Sequence, residues 1–378
     1  MGSPIVKVEV GRYDYEVVGE FKFFKPGADG KSYRNSVLVR LTDADGVTGW
    51  GQSVPIPTWT YETPETVLTT LTNYLAAAVI GSDPADPADV HERMNQVIRP
   101  AFSVGQPLCK AGIDLACYDL AGKQSGQSVG SILGGSAADS MVISWTSASP
   151  DLDRAQAQLE AGKARGFQNF NIKVGSPQTP EYDIELARMV RAFSPDGFLW
   201  ADANTGYDTD TALTMMPKLA DAGVDVLESP LPPNAIRGYQ ALKQNGALPV
   251  LMDEGILSVA EVEEFIALGM MDGIAMKPAR NAGIYPSWQI IRRLKEEGMM
   301  VLGSGLTDPD LSLAASLHLF SSAGISTPLA LNGRQLLEGW LSGQALELDG
   351  QTLRVPDGPG LGLVLDDTAE SYLTDRVT

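Results

Sequence analysis

The stretch FQNFNIKVGS, residues 167–176, decides how this chain folds. Phe167, Phe170, Ile172 and Val174 suit a buried strand that Gly175 ends, yet Lys173 sits in it. A buried ammonium costs several kcal/mol unless it is paired or neutralised. The same construction, an apolar run ending in a charged side chain, recurs along the chain. Candidate strands MVISWT, NFNIKV, FLWADA, VDVLES, LPVLMD, DGIAMK, MMVLGS and STPLAL start at 141, 169, 198, 224, 248, 272, 299 and 326. Amphipathic stretches such as AQAQLEAGKARG and EYDIELARMVRAF lie between them, several closed by Gly, and read as helices. Eight parallel strands at this spacing predict an α/β fold, a modified TIM barrel, rather than an open doubly wound sheet. No dinucleotide fingerprint follows the first strand.

The chain before this repeat behaves differently. Apolar alternation over 4–19 and 36–52, with DADG as a hairpin turn, predicts a small sheet, and helical patterns follow at 64–80, 88–98 and 108–126. The expected organisation is an α+β domain over 1–125, the barrel over 126–343, and a segment over 344–378 that packs back on the first domain.

Composition narrows the function. The 378 residues suit two domains, and a net charge of −19 argues against nucleic acid, whose phosphates need clustered cations. No apolar run is long enough for a membrane helix and MGSPIVKVEV lacks a leader pattern, so a cytoplasmic enzyme is expected. Cys109 and Cys117 form no disulfide framework, and two histidines exclude a histidine-rich metal site.

The ends of the candidate strands carry Lys173, Asp202, Glu228, Asp253 and Lys277. In such barrels the C-terminal strand ends hold the chemistry. Three carboxylates on consecutive strands repel one another unless a cation sits among them, and oxygen ligands suit Mg²⁺, with Mn²⁺ as the alternative ion. Helix capping or pairing with Lys and Arg is the structural alternative for each. A metal between two lysines suggests removal of a proton next to a carboxylate. The metal stabilises the resulting enediolate, and a lysine of lowered pKa serves as base.

These residues resemble the enolase superfamily, in its mandelate racemase/muconate lactonizing subgroup. The resemblance rests on ADAN, LESP, LMDE and AMKPARNAG at strand ends and on KAGIDLACYDLAGKQSGQSV in the connecting helix. It implies a (β/α)7β barrel covered by the N-terminal capping domain, Mg²⁺ held by Asp202, Glu228 and Asp253, and Lys173 and Lys277 as the acid/base pair. It also implies auxiliary metal-site roles for Asn204 and Glu254, where helix capping is the alternative. Ser304, Gly305 and Asp308 fall where the family holds the substrate carboxylate. Two loops near 19–34 and 52–62 would cover the barrel mouth, making Phe24, Trp59 and Tyr61 candidates for lining the pocket or for packing the domain interface. A homo-oligomer, from dimer to octamer, is implied as well.

Two positions depart from the family pattern. Asn171 stands where a first lysine is common, and Gln52 where Glu is common. The amide at 171 is shared with family members acting on cyclic amino-acid betaines, the hydroxyproline/proline betaine epimerases. The expected activity is racemisation or epimerisation of a small carboxylate, an amino-acid derivative. A cycloisomerase or dehydratase using the same enolate is the alternative, and a non-catalytic binding barrel the remote one.

Overall fold

Each apolar run that ends in a charged residue becomes a parallel strand or part of one. The computed structural model describes residues 2–19, 21–101, 103–135 and 138–378; Glu20, inside the first mouth loop, lies outside the described residues. The chain opens with β1 (Ile5–Val17), β2 (Tyr33–Asp43) and β3 (Thr48–Ser53), an antiparallel meander. Asp43 closes the β2–β3 turn, its Oδ1 accepting from the backbone N–H of Asp45 and Val47, while Gly46 takes a positive φ of 85°. Then come α1 (Pro64–Thr70), continued by a π-helical turn into α2 (Ala76–Val79), α3 (Pro87–Val97), α4 (Pro107–Ser125) and α5 (Val129–Leu133).

Helix α4 lies directly on β3, and glycine permits it. A Cβ on Gly51 would stand 2.0 Å from the Gly112 carbonyl oxygen and one on Gly112 2.4 Å from Ser53 Oγ. Replacing Gly51 by Ala is expected to cost about 1–3 kcal/mol or more, read as a lower urea midpoint. The carboxylates of α4 reach outward to three segments. Asp114 accepts from the N–H of Ile284, and Asp119 from those of Trp50 and Leu361. Cys109 and Cys117 are buried, free thiols on the same helix.

From residue 140 the repeat runs β4 (Ser140–Val142), β5 (Trp145–Ser147), α6 (Leu152–Ala164), β6 (Phe170–Lys173), α7 (Pro180–Phe193), β7 (Leu199–Asp202) and α8 (Thr209–Asp221). It continues through β8 (Val226–Glu228), α9 (Ile236–Asn245), β9 (Val250–Met252), α10 (Val259–Ala267), β10 (Gly273–Met276), α11 (Ile284–Glu296), β11 (Met300–Gly303) and α12 (Asp310–Ser322). Strands β5 to β11 pair in sequence order as a seven-stranded parallel sheet. The expected eighth strand, STPLAL, enters only as two bridges, Ala330 opposite Ser304 and Leu329 opposite Ile143. Pro328 has no N–H to extend the ladder. These bridges nonetheless join the two edges, with Ala330 N donating to Gly303 O (2.9 Å) and Ser144 N to Leu329 O (2.8 Å).

The expected first strand, MVISWT, is two elements. Its first half, β4, pairs antiparallel with β14 (Thr352–Arg354), while β5 alone joins the barrel. The tail hairpin captures the backbone there, as Ile143 N donates to Gln351 O. The remaining elements are α13 (Gly333–Leu336), β12 (Leu337–Glu338), β13 (Leu348–Asp349), which pairs with β14, a 3-10 helix over Asp367–Tyr372, and β15 (Asp375–Val377). Both β12 and β15 add to β1, so the chain after the barrel completes the N-terminal sheet.

Trp200, Val226, Leu251, Ala275, Leu302 and Ala330 fill the barrel interior beneath the strand ends. Asp202 and Trp200, two residues apart on one strand, face the same side, so the carboxylate rises from this apolar floor. Among the described residues no helix is long and apolar enough to cross a membrane.

His318 on α12 is buried, its Nδ1 accepting from Gly130 N and its Nε2 donating to Leu361 O. Burial lowers its pKa from 6.5 to about 4, against the raising effect of the Leu361 carbonyl. The folded state therefore holds fewer protons than the unfolded chain between those values. This stabilisation is complete above pH 6.5 and is lost as pH falls toward 4. His318→Gln is expected to flatten the pH dependence of the urea midpoint across that window.

Candidate active site

Strand register brings the site together. Lys173 on β6 stands opposite Asp202 on β7, and Asp202 opposite Glu228 on β8. Asp253 and Lys277 follow the last residues of β9 and β10. Asp202, Glu228 and Asp253 are each no more than 1% exposed and Lys277 is 5% exposed. Carboxylates buried to that degree are either paired or pushed toward the neutral form. Lys173 Nζ lies 2.5 Å from Asp202 Oδ2, while Lys277 and Arg280 both pair with Asp253. Asn204 donates to Asp202 through its backbone N–H (2.8 Å) and its side-chain amide (2.9 Å). The residues just past β7 and β8 take left-handed backbone, φ +43° at Asn204, +62° at Thr205 and +41° at Ser229. Such strain persists where surrounding contacts over-determine it. Here Asp202 holds Asn204, and Ser229 Oγ accepts from Asp253 N.

Charge is crowded at the rim. Burial pushes the Asp202 carboxyl up, but Lys173, Lys277 and Lys22 together outweigh it and hold its pKa below the usual value. Glu228 goes the other way, to about 8, through burial and then the nearby Asp202 charge, although Lys277 and Lys173 oppose both. Burial followed by Asp202 also raises Glu254. Glu228 Oε1 is buried without a hydrogen-bond partner, and Lys277 Nζ stands 3.9 Å away. An orphaned, destabilised carboxylate beside two others is what a hard divalent cation would satisfy, so the residues fit a metal. Among the described residues no three acidic, His or Cys side chains converge as a ready-made cage. Lys173, Lys277 and Arg280 draw two of the carboxylates to themselves, and a bound cation would take over part of that pairing.

A cavity of about 30 Å³ opens above the rim, lined among others by Asn171, Lys173, Asn204, Glu228 and Lys277. Ser304, Gly305 and Trp59 also line it. Asn171 faces inward beside Lys173, its amide 3.5 Å from the Trp200 carbonyl. Asp308 lies behind this wall instead. It is fully buried, accepts from Leu306 N, and sits where a Gly305 side chain would go. Tyr61 is 66% exposed and Phe24 lines a neighbouring cleft, so neither reaches the cavity. Phe21 and Phe23 take that place, Phe23 packing on Trp59 at 4.7 Å between ring centroids.

Three cations were not singled out in the sequence. Arg280 follows Lys277 in AMKPAR, a second cation in the loop after a strand-end lysine. Its guanidinium is lowered to about 9 by burial. Lys22 belongs to the first mouth loop, and burial lowers it to about 8. Arg34 is fully buried and donates to the carbonyls of Val54 (2.5 Å), Pro55 (2.6 Å) and Leu306 (2.9 Å). It thereby ties the second mouth loop to the barrel loop that walls the cavity.

Comparison with known proteins agrees with this geometry. Residues 27–134 match the Mandelate racemase / muconate lactonizing enzyme, N-terminal domain, and residues 154–369 match the Enolase C-terminal domain-like family. Chloromuconate cycloisomerase CbnB of Cupriavidus necator is 30% identical over 335 residues, 87% of this chain and 89% of that protein. N-succinyl-L-Arg/Lys racemase of Bacillus cereus is 26% identical over 341 residues, 90% of each. The crystal structure of muconate lactonizing enzyme from Pseudomonas fluorescens, complexed with muconolactone, superposes with a TM-score of 0.89 at 25% identity. That match covers 99% of this chain and 100% of the other. Cycloisomerases and racemases are both isomerases, and enzymes of this group use a divalent metal. With both domains matched and the strand-end residues on one rim, the chain belongs to the enolase superfamily, in its muconate lactonizing enzyme subgroup.

Proposed function

We propose that the protein racemises or epimerises a small α-carboxylate, an amino-acid derivative, with Lys173 and Lys277 as the two proton carriers. One observation carries this reading: both lysines line a single cavity from opposite sides of the barrel. In the ring formed by β5 to β11 and the 329–330 segment, β6 and β10 are four positions apart in either direction. One unprotonated Nζ removes the α-proton, breaking C–H and forming N–H. The opposite ammonium delivers a proton to the other face. The lysines end with exchanged protonation states, ready for the reverse reaction. Asp202, Glu228 and Asp253 would hold Mg²⁺, which when bound supplies positive charge to the carboxylate oxygens as the α-carbon loses its proton. Phe21, Phe23 and Trp59 exclude water from above.

The test is incubation in D₂O with Mg²⁺ and a panel of N-substituted amino acids and proline derivatives. Deuterium at the α-carbon of both enantiomers, with an unchanged skeleton, is the expected result. No exchange with any member would sink the reading. Asp202→Ala is expected to lose Mg²⁺ binding, whereas a parent protein that binds no divalent ion would favour a non-catalytic barrel. Cycloisomerisation is the second reading, favoured by the cycloisomerases among the relatives. It leaves the mass unchanged but gives a new ring by NMR, while dehydration loses water.

A further inference from the structure

Ser304, Gly305, Leu306 and Thr307, the residues that follow β11, all line the cavity at the lysines. The turn they make is a forced one. Thr307 takes a φ of +56°, left-handed backbone that a β-branched side chain rarely adopts. Such a conformation persists only where the surroundings over-determine it, and such outliers gather at functional sites.

Two buried charges of opposite sign hold this turn. Asp308, 1% exposed, accepts from the Leu306 N–H at 3.3 Å. Arg34, fully buried on β2 of the capping domain, donates through Nε to the carbonyls of Leu306 (2.9 Å) and Thr307 (3.3 Å). The N–H of Leu306 is thus held from the barrel and its carbonyl from the other domain. The rest of the guanidinium stays at home: Nη1 donates to the carbonyls of Asn35 and Pro55, and Nη2 to that of Val54. Among the described residues none of its hydrogen bonds goes to a carboxylate, and the Asp308 charge is the foremost one offsetting its burial. Only a planar fork of five N–H groups reaches carbonyls in both domains at once. An ammonium has three donors around a single point.

We propose that Arg34 is a positioning residue for the reaction, setting the wall of the reacting cavity from the neighbouring domain through Leu306 and Thr307. The wall then takes its working shape only when the two domains are seated together. The assignment deepens the proton-transfer reading and rests on it for the kinetic half of its test.

Arg34→Ala removes the fork. Arg34→Lys keeps the charge without the fork and serves if the alanine variant does not fold. Deuterium incorporation from D₂O is followed on an N-substituted amino acid or proline derivative that the wild type exchanges. In both variants KM is expected to rise by about tenfold or more while kcat stays within about threefold, because the lysines and carboxylates stand on other strands. A role in stability alone would instead lower kcat with the folded fraction and leave KM unchanged. Dilute guanidinium ion, far below denaturing concentration, should restore KM in Arg34→Ala and not in Arg34→Lys. Backbone amide exchange, read by mass spectrometry, needs no substrate. Peptides covering 303–310 should exchange about tenfold faster in either variant, and those of β6 and β7 at the parent rate. An unchanged KM in an active variant overturns the proposal. If the wild type exchanges no member of the panel, the proton-transfer reading falls alone. Unchanged amide exchange over 303–310 then overturns the Arg34 assignment as well, and faster exchange there upholds it.

Discussion

Lys277→Ala abolishes net inversion while leaving one-sided proton exchange intact; this is the expected result with the largest effect. A positioned acid or base contributes about 10²–10⁴ in rate, and inversion needs both lysines in each turnover. With Lys277 gone, Lys173 still removes and returns a proton on its own face. One enantiomer then incorporates deuterium from D₂O and is recovered with its configuration unchanged. Lys173→Ala should do the same for the opposite enantiomer. Polarimetry follows inversion, and proton NMR follows exchange of the same sample. Both variants should keep Mg²⁺, because Asp253 retains Arg280 and Asp202 retains the two Asn204 donors. Full inversion by either variant removes that lysine from the mechanism, and loss of exchange from both faces in one variant would assign both transfers to one group.

Asp253→Ala carries the largest expected loss of stability. Asp253 is 1% exposed and pairs with two cations, Lys277 and Arg280, neither more than about a tenth exposed at its side chain. Removing one partner of a buried pair costs about 3–5 kcal/mol, because the remaining charge is left without compensation. Among the described residues Lys277 then retains only the 3.9 Å approach to Glu228. Urea unfolding should show the loss directly, and titration should show that Mg²⁺ no longer binds. Adding Lys277→Met to Asp253→Ala should recover part of the stability but none of the metal affinity. A variant as stable as the parent would mean that these pairs do not compensate one another.

The barrel and its rim were readable for a shared physical reason. Parallel strands buried on both faces are continuous apolar runs, so a carboxylate or ammonium at the end of one stands out against it. Lys173, Asp202, Glu228, Asp253 and Lys277 each do so. The roof was less readable, because loops have no period. Phe21, Phe23 and Phe24 are equivalent in composition, yet the turn at Phe21–Phe24 points only the first two into the cavity. Tyr61 looked like a pocket aromatic and stands in solvent. The broken strand at 140–147 and the bridged one at 329–330 depend on partners far away in sequence, β14 in the first case and both sheet edges in the second. Asp308 shows a further limit. A carboxylate after a strand reads as functional, but only the backbone reveals that it props up Gly305 from behind.

The pairing of β1 with β15 has a consequence for how the protein is made. One edge of β1 finds β2 through a short connection, but its other edge waits for Arg376 and Val377. Until β12 and β15 reach it from beyond the barrel, that edge is an unpaired template, open to neighbouring chains. The first sheet is thus completed only by chain that follows the barrel. Cutting the chain after the barrel should therefore expose a pairing edge on the first sheet, read as aggregation.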